Sequence, residues 1–171
     1  ALLNDGTGTS AGHVRVYKFN GTAWTQLGAD IDGEAAGDKS GWSVSLSSDG
    51  TIVAIGAYLN DGTASNAGHV RVYKYNGTAW TKLGEDIDGE AEDDKSGFSV
   101  SLSSDGTALA IGASGNNDSG SDAGHVRVYK FNGTAWTKLG GDINGEAADD
   151  YSGHSVSLSS DGTIVAVGAY G

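Results

Sequence analysis

The chain has 171 residues, a formal net charge of −12, and no cysteine, methionine or proline. Such an acidic chain would repel a phosphate backbone or an anionic bilayer, which argues against binding to nucleic acid or to membrane surfaces. The lack of cysteine excludes disulfides and thiolate metal sites. No apolar run approaches the roughly 18 residues that a membrane-spanning helix needs, so membrane insertion is not expected.

Three nearly identical units follow one another along the chain. The segment AGHVRVYKFNGTAW begins at Ala11, and close copies begin at Ala67 and Ala123, so the period is 56 residues (67 − 11 = 56). A period of this size is the signature of a repeat architecture. We treat 1–171 as one segment with units 1–56, 57–112 and 113–168, and with 169–171 starting a fourth copy.

Within each unit the apolar residues recur at every second position, which is the pattern of β-strands. An SSDG turn joins the first two predicted strands, and a polar loop leads to the third. Asn76-Gly77 then supplies the left-handed backbone of a tight hairpin before the fourth. The four strands are predicted over 42–46, 52–55, 69–74 and 78–83. Because no segment has helical spacing, the sequence predicts an all-β fold.

Four antiparallel strands in each 56-residue unit predict one blade of a β-propeller per unit. The chain then holds three blade equivalents, whereas propellers contain about four to eight blades. The repeat is cut so that the blades are split across the two termini: the N-terminal half supplies the last two strands of a blade, and the C-terminal half supplies the first two. Because these halves are complementary, we expect two chains to join head to tail as a homodimer and to close a six-bladed ring.

The strand sequences carry a family resemblance. SGWSVSLSSDGTIVAIGA, which begins at Ser40, is followed by a polar loop and then by GHVRVY. This order resembles the FG-GAP repeat of integrin-α-like β-propellers, with Trp42, Phe98 and His154 at the aromatic position. The resemblance implies a β-propeller fold and favours an extracellular or cell-surface protein. Calcium-binding members carry a DxDxDG-type loop between the first two strands, but every unit here has SSDGT, so that calcium site is not carried over.

A different acidic run could hold a metal. DIDGEAAGD at 30–38 alternates oxygen ligands around a glycine, which is a pattern that a hard cation such as calcium accepts. The run equally fits a solvated acidic rim that resists aggregation, and no cofactor other than calcium is suggested. The candidate ligands in the three copies are Asp30, Asp32, Asp38, Asp86, Asp88, Asp94, Asp142, Asn144 and Asp150.

Aromatic residues are the candidate ligand contacts. Trp42, Phe98 and His154 occupy one position that differs between otherwise similar units, so we predict that they tune ligand binding. The tryptophans that follow the Asn-Gly turns, Trp24, Trp80 and Trp136, could stack on sugar rings or pack against a neighbouring blade. The repeated histidines, His13, His69 and His125, are interpreted as structural strand residues.

No catalytic motif is present, and the repeated polar residues are not gathered into one asymmetric pocket, so we do not expect an enzyme. The sequence favours a non-enzymatic binding or structural module, with a second copy of itself and a protein or glycan ligand as partners. One alternative is a multivalent carbohydrate-binding lectin. Another is a repeat-derived or engineered self-assembling propeller that has no ligand.

Overall fold

The structure, a computed structural model, describes residues 7–171, so the first six residues of unit 1–56 lie outside the described residues. The described part is all-β, as predicted, with sixteen strands and no helix. It therefore has no helix that could cross a membrane.

Four short strands form the N-terminal partial sheets. These strands are β1 (His13–Val14), β2 (Tyr17–Phe19), β3 (Trp24–Gln26) and β4 (Ile31–Asp32). β2 and β3 form an antiparallel hairpin, and β4 pairs with β1. Residues 15 and 16 belong to no strand, although their equivalents 71 and 72 do.

The first complete sheet follows. It contains β5 (Ser43–Leu46), β6 (Ile52–Ala57), β7 (His69–Tyr75), β8 (Trp80–Lys82) and β9 (Ile87–Asp88). β5 to β8 form an antiparallel meander in chain order, and β9 pairs with the beginning of β7. The four predicted strands are thus present, and the two-residue strand β9 is an addition that the sequence did not predict.

The second complete sheet repeats this arrangement. It contains β10 (Ser96–Leu102), β11 (Ala108–Ala113), β12 (His125–Phe131), β13 (Trp136–Lys138) and β14 (Ile143–Asn144). β14 pairs with β12 as β9 pairs with β7. The C-terminal partial sheet then contains only β15 (Ser155–Leu158) and β16 (Val165–Gly168), which pair with each other.

Local hydrogen bonds explain the turns between these strands. The Asp49 carboxylate accepts the Ser47 hydroxyl at 2.7 Å and the Thr51 amide at 2.9 Å, and these bonds lower the pKa of Asp49. At the next turn, the side-chain oxygen of Asn76 accepts the amides of the two residues after Gly77, which has a φ of 99°. Serine, aspartate and the Asn-Gly pair therefore fix the hairpins at the predicted places.

The core lies between the sheets. Ile52 and Val72 of the first complete sheet pack in one cluster with Val100 and Leu109 of the second. A similar cluster joins the N-terminal partial sheets to the first complete sheet, and another joins the second complete sheet to the C-terminal partial sheet. Each sheet is thus covered by its neighbour in the chain, which is the packing expected of propeller blades. The described residues form two complete sheets and partial ones, and they do not form a closed ring.

Candidate binding site between the sheets

The same pocket occurs twice, each time between two consecutive sheets. The first copy has a volume of about 230 Å³ and is lined by Asp30 and Asp32 from one sheet and by Tyr73 and Trp80 from the next. The second copy also has a volume of about 230 Å³, and its corresponding residues are Asp86, Asp88, Tyr129 and Trp136. One wall of each pocket is therefore acidic and the other is aromatic.

The tryptophan that walls each pocket is fixed from the neighbouring sheet. The indole N–H of Trp80 donates to the Leu27 carbonyl oxygen at 2.8 Å, and that of Trp136 donates to the Leu83 carbonyl oxygen at 2.8 Å. These two residues therefore pack between sheets, which was one of the two interpretations left open by the sequence. Trp24, the third copy, has no such partner among the described residues and exposes 68% of its surface.

Asp86, in the acidic wall of the second pocket, and Asp142, at the equivalent position of the next unit, are each bonded to a lysine four residues earlier in the chain. Lys82 Nζ lies 2.9 Å from Asp86 Oδ1, and this bond raises the pKa of Lys82. Lys138 makes the equivalent bond to Asp142 at 2.8 Å. Burial disfavours the ionised form of Asp142, but the lysine bond and the nearby charges lower its pKa overall. The Asp142 carboxylate is thus kept ionised. In both pairs the lysine bonds to only one of the two carboxylate oxygens.

A buried arginine connects each pocket to the preceding unit. Arg71 Nη2 donates to the Asp32 carbonyl oxygen at 3.0 Å, and Arg71 Nη1 lies 3.1 Å from Glu34 Oε1. Arg127 repeats both contacts, with Asp88 at 3.4 Å and Glu90 at 2.8 Å. An arginine of one unit is therefore paired with the acidic run of the unit before it.

Two groups could hold a metal ion in the described residues. Glu34, His69 and Asp86 bring three potential ligand atoms within 4.8 Å of one another, and Asp118, His125 and Asp142 form a second such group. Burial, followed by the nearby arginine charge, lowers the pKa of both histidines, so their imidazoles are neutral at neutral pH. The sequence suggested neither group, because their members come from separate segments.

The predicted calcium ligands fall into three groups, which differ in their position and hydrogen-bond partners. Asp38, Asp94 and Asp150 accept backbone amides of their own turns, at 2.8 to 3.2 Å. Asp32, Asp88 and Asn144 lie in the short strands β4, β9 and β14. Asp30, Asp86 and Asp142 bond to Gln26, Lys82 and Lys138. Calcium binding by these residues stays a prediction.

The three residues predicted to tune ligand binding lie in one aromatic row. The Trp42 and Phe98 ring centroids are 5.5 Å apart, and those of Phe98 and His154 are 5.0 Å apart. Tyr58 and Tyr170 contact the two ends of the row. Equivalent residues of neighbouring units therefore contact one another along this row. Their role in ligand binding remains a prediction, and they are separate from the pockets between the sheets.

Repeated antiparallel sheets that cover one another in chain order, with the same pocket at two of the three junctions between sheets, define a propeller-type repeat protein. Residues 29–73 match the family model described as FG-GAP repeat, which confirms the resemblance seen in the sequence. The matched segment runs from the acidic wall of the first pocket to its tyrosine. Among curated proteins, none matches the chain.

Proposed function

We propose that the protein is a non-enzymatic binding module whose ligand-binding sites are the pockets between consecutive blades. The observation that carries this proposal is the recurrence of one pocket, with an acidic wall and an aromatic wall, at two equivalent junctions. Enzymes need an asymmetric arrangement of nucleophile, base and charge-stabilising groups, and the side chains that line the two equivalent pockets are carboxylates, aromatic rings and aliphatic groups. Repetition of one modest site is instead suited to multivalent binding.

The pocket chemistry favours a small hydroxyl-rich ligand, which is the lectin alternative. Carboxylates accept hydrogen bonds from hydroxyl groups, and tyrosine and tryptophan faces cover the apolar side of a sugar ring. A volume of about 230 Å³ is below the usual range for drug-sized ligands, so each pocket fits a single ring or side chain. A protein ligand would have to insert a basic or polar side chain into the same space.

The proposal extends to the assembly and its setting. We place the chain in a six-bladed ring made of two copies, since propellers contain about four to eight blades and each copy supplies three blade equivalents. The FG-GAP resemblance supports an extracellular or cell-surface location, where multivalent binding would serve adhesion. The remaining alternative is a self-assembling propeller without a ligand. It predicts that the ring forms and that no glycan on an array is bound.

A glycan array, followed by variants that remove charge inside and outside the pockets, tests the binding function. Asp88→Asn removes one charge from the acidic wall, and Asn144 shows that asparagine is compatible with this strand position. Glu92→Gln removes one charge at an exposed residue outside the pockets. We expect the double variant Asp32→Asn/Asp88→Asn to lose at least about tenfold in apparent affinity on a glycan-coated surface, because the charged acceptor is lost from both pockets. Glu92→Gln should bind normally, and equal binding by all variants would refute the proposal.

A further inference from the structure

The side chain of His125 is fully buried and lacks a hydrogen-bond partner. His125 is the first residue of β12 and exposes 0% of its surface. Neither its Nδ1 nor its Nε2 has a partner among the described residues. A neutral imidazole has one nitrogen that donates and one that accepts, and buried polar groups are normally paired. Two buried ring nitrogens without partners therefore point to a ligand of this ring that the polypeptide does not supply.

Two carboxylates lie beside this ring. One ring nitrogen of His125 and one carboxylate oxygen from each of Asp118 and Asp142 are within 4.8 Å of one another. Asp118 lies in the loop between β11 and β12, and Asp142 directly precedes β14. β14 pairs with the beginning of β12, with Asn144 opposite His125, and this pairing holds Asp142 near the ring. The three groups thus come from three segments that the fold brings together.

The loop carboxylate is particular to the third unit. Asp118 stands where the second unit has Gly62. A Cβ at Gly62 would lie 3.7 Å from a carboxylate oxygen of Asp88, so these two positions are neighbours. At the same two positions the third unit has Asp118 and Asn144. The carboxylate has therefore moved from the strand to the loop without a change in total charge, and from the loop it reaches His125.

The charges near this group suit a divalent cation. The carboxylate of Asp118 has no hydrogen bond or ion pair among the described residues. Lys138 bonds to Asp142 at 2.8 Å, so one ammonium group stands against two carboxylates. In the group that contains Glu34, by contrast, that carboxylate is bonded to Arg71 at 3.1 Å, and the arginine charge opposes a cation there.

The chemistry of the three groups selects the kind of ion. Burial, followed by the charge of Arg127, lowers the pKa of His125, so the imidazole is neutral and has a lone pair to donate. Calcium and magnesium prefer oxygen ligands only, whereas zinc accepts both imidazole nitrogen and carboxylate oxygen, at about 2.0–2.2 Å. The ligands of a tetrahedral ion at that distance are about 3.4 Å apart, so a small movement of the exposed Asp118 brings the set together.

We propose that Asp118, His125 and Asp142 bind one zinc ion, which ties the loop between β11 and β12 to β12 and β14. The ion becomes the partner of one ring nitrogen of His125, and water completes the coordination. Asp142 is among the residues predicted to bind calcium, and the site assigns it to zinc instead. The site does not rest on the proposed binding function, because none of its three residues lines either described pocket.

Zinc titration of two matched variants tests the site. Asp118→Gly introduces the residue that the second unit has at Gly62, and Asp122→Asn removes the same charge from the same loop by introducing the residue found at Asn66. The full chain is treated with a chelator, dialysed and titrated with zinc chloride by calorimetry, and circular dichroism checks that the variants fold.

We expect wild type and Asp122→Asn to bind one zinc ion per chain with equal affinity. Asp118→Gly should bind it at least about tenfold more weakly, because even residues that only support a metal ligand cost about 10–100-fold in affinity when they are changed. An excess of calcium should not displace the zinc, since imidazole nitrogen is not a calcium ligand. A wild type without a zinc site, equal affinities of the two variants, or displacement by calcium would each overturn the proposal.

Nitrogen NMR of the imidazole rings identifies the histidine that binds zinc. The chain has four histidines, and one equivalent of zinc should shift the ring nitrogens of His125 alone. A shift at His13, His69 or His154 in its place would show that the ion binds elsewhere and would refute the assignment.

Transplantation of the site tests whether these ligands are sufficient. Gly62→Asp with Asp88→Asn gives the second unit the arrangement of the third, around His69 and Asp86, and leaves the net charge unchanged. This double variant should bind two zinc ions per chain, whereas Asp88→Asn alone should bind one. A double variant that binds no more zinc than Asp88→Asn would contradict the proposed set of ligands.

Discussion

The indole of Trp136 holds two sheets together, and Trp136→Phe measures how much this contact stabilises the fold. Phenylalanine keeps the aromatic face but removes the N–H, which leaves the Leu83 carbonyl oxygen without its bond of 2.8 Å. An unpaired, partly buried acceptor costs about 1–3 kcal/mol. The lost ring atoms remove about 1 kcal/mol of packing between the sheets. We therefore expect the free energy of unfolding to fall by about 2–4 kcal/mol.

Urea unfolding followed by circular dichroism measures this loss as a lower midpoint at an unchanged slope. All variants are compared at one protein concentration, because the proposed dimer would make the midpoint depend on concentration. Trp80→Phe should lose the same amount, since its bond to Leu27 has the same length. Trp42→Phe is the control, because Trp42 lies in the aromatic row and exposes 40% of its surface. A loss at Trp136 no greater than that at Trp42 would refute the reasoning.

Two further predictions concern protons and metal. Burial lowers the folded-state pKa of His69 and His125, so the unfolded chain binds protons first as the pH falls below about 6.5. The contribution of these histidines to stability is therefore complete above that pH and decreases below it, and a constant urea midpoint between about pH 7.5 and 5.5 would contradict this. Calcium added to the chelator-treated protein should change the melting temperature little, because backbone amides already occupy the Asp38, Asp94 and Asp150 carboxylates. A large chelator-reversible shift would instead support calcium binding by the acidic runs.

Most of the fold could be predicted from the sequence because the information for it is local. Alternation of apolar and polar residues marks strands such as Ser43–Leu46, and a continuous apolar run marks Ile52–Ala57. The Asn-Gly and SSDG turns mark where the chain reverses. The strand β9 could not be predicted in this way. Ile87 and Asp88 lie inside an acidic run, and they become a strand only because the beginning of β7 offers a free edge.

The binding pocket could not be predicted because each copy is assembled from two units. The contacts that define it join residues far apart in the sequence, such as Arg71 with Asp32 and Trp80 with Leu27. Which residues meet depends on the offset between one blade and the next. The alternation of apolar residues along a strand predicts the strand but not that offset. One signal for these contacts between units was present in the sequence. The glutamate that pairs with the arginine of the next unit is kept in all three copies, at 34, 90 and 146, whereas the residue two positions later varies between alanine and glutamate.

A pocket built from two consecutive units makes the number of sites depend on closure. The described chain contains two complete pockets. Two separate chains would therefore present four pockets, and a ring of the two would present six. The added pockets need no new residues, because Trp24 and Asp142 already repeat the walls seen elsewhere. Since binding to a surface of many ligands grows steeply with the number of sites, closure would raise avidity beyond the change in site number alone. In the proposed ring Glu146 would face Arg15 of the other copy, as Glu34 faces Arg71 within the chain. Glu146→Arg should therefore weaken binding to a glycan-coated surface while leaving the affinity of each remaining pocket unchanged.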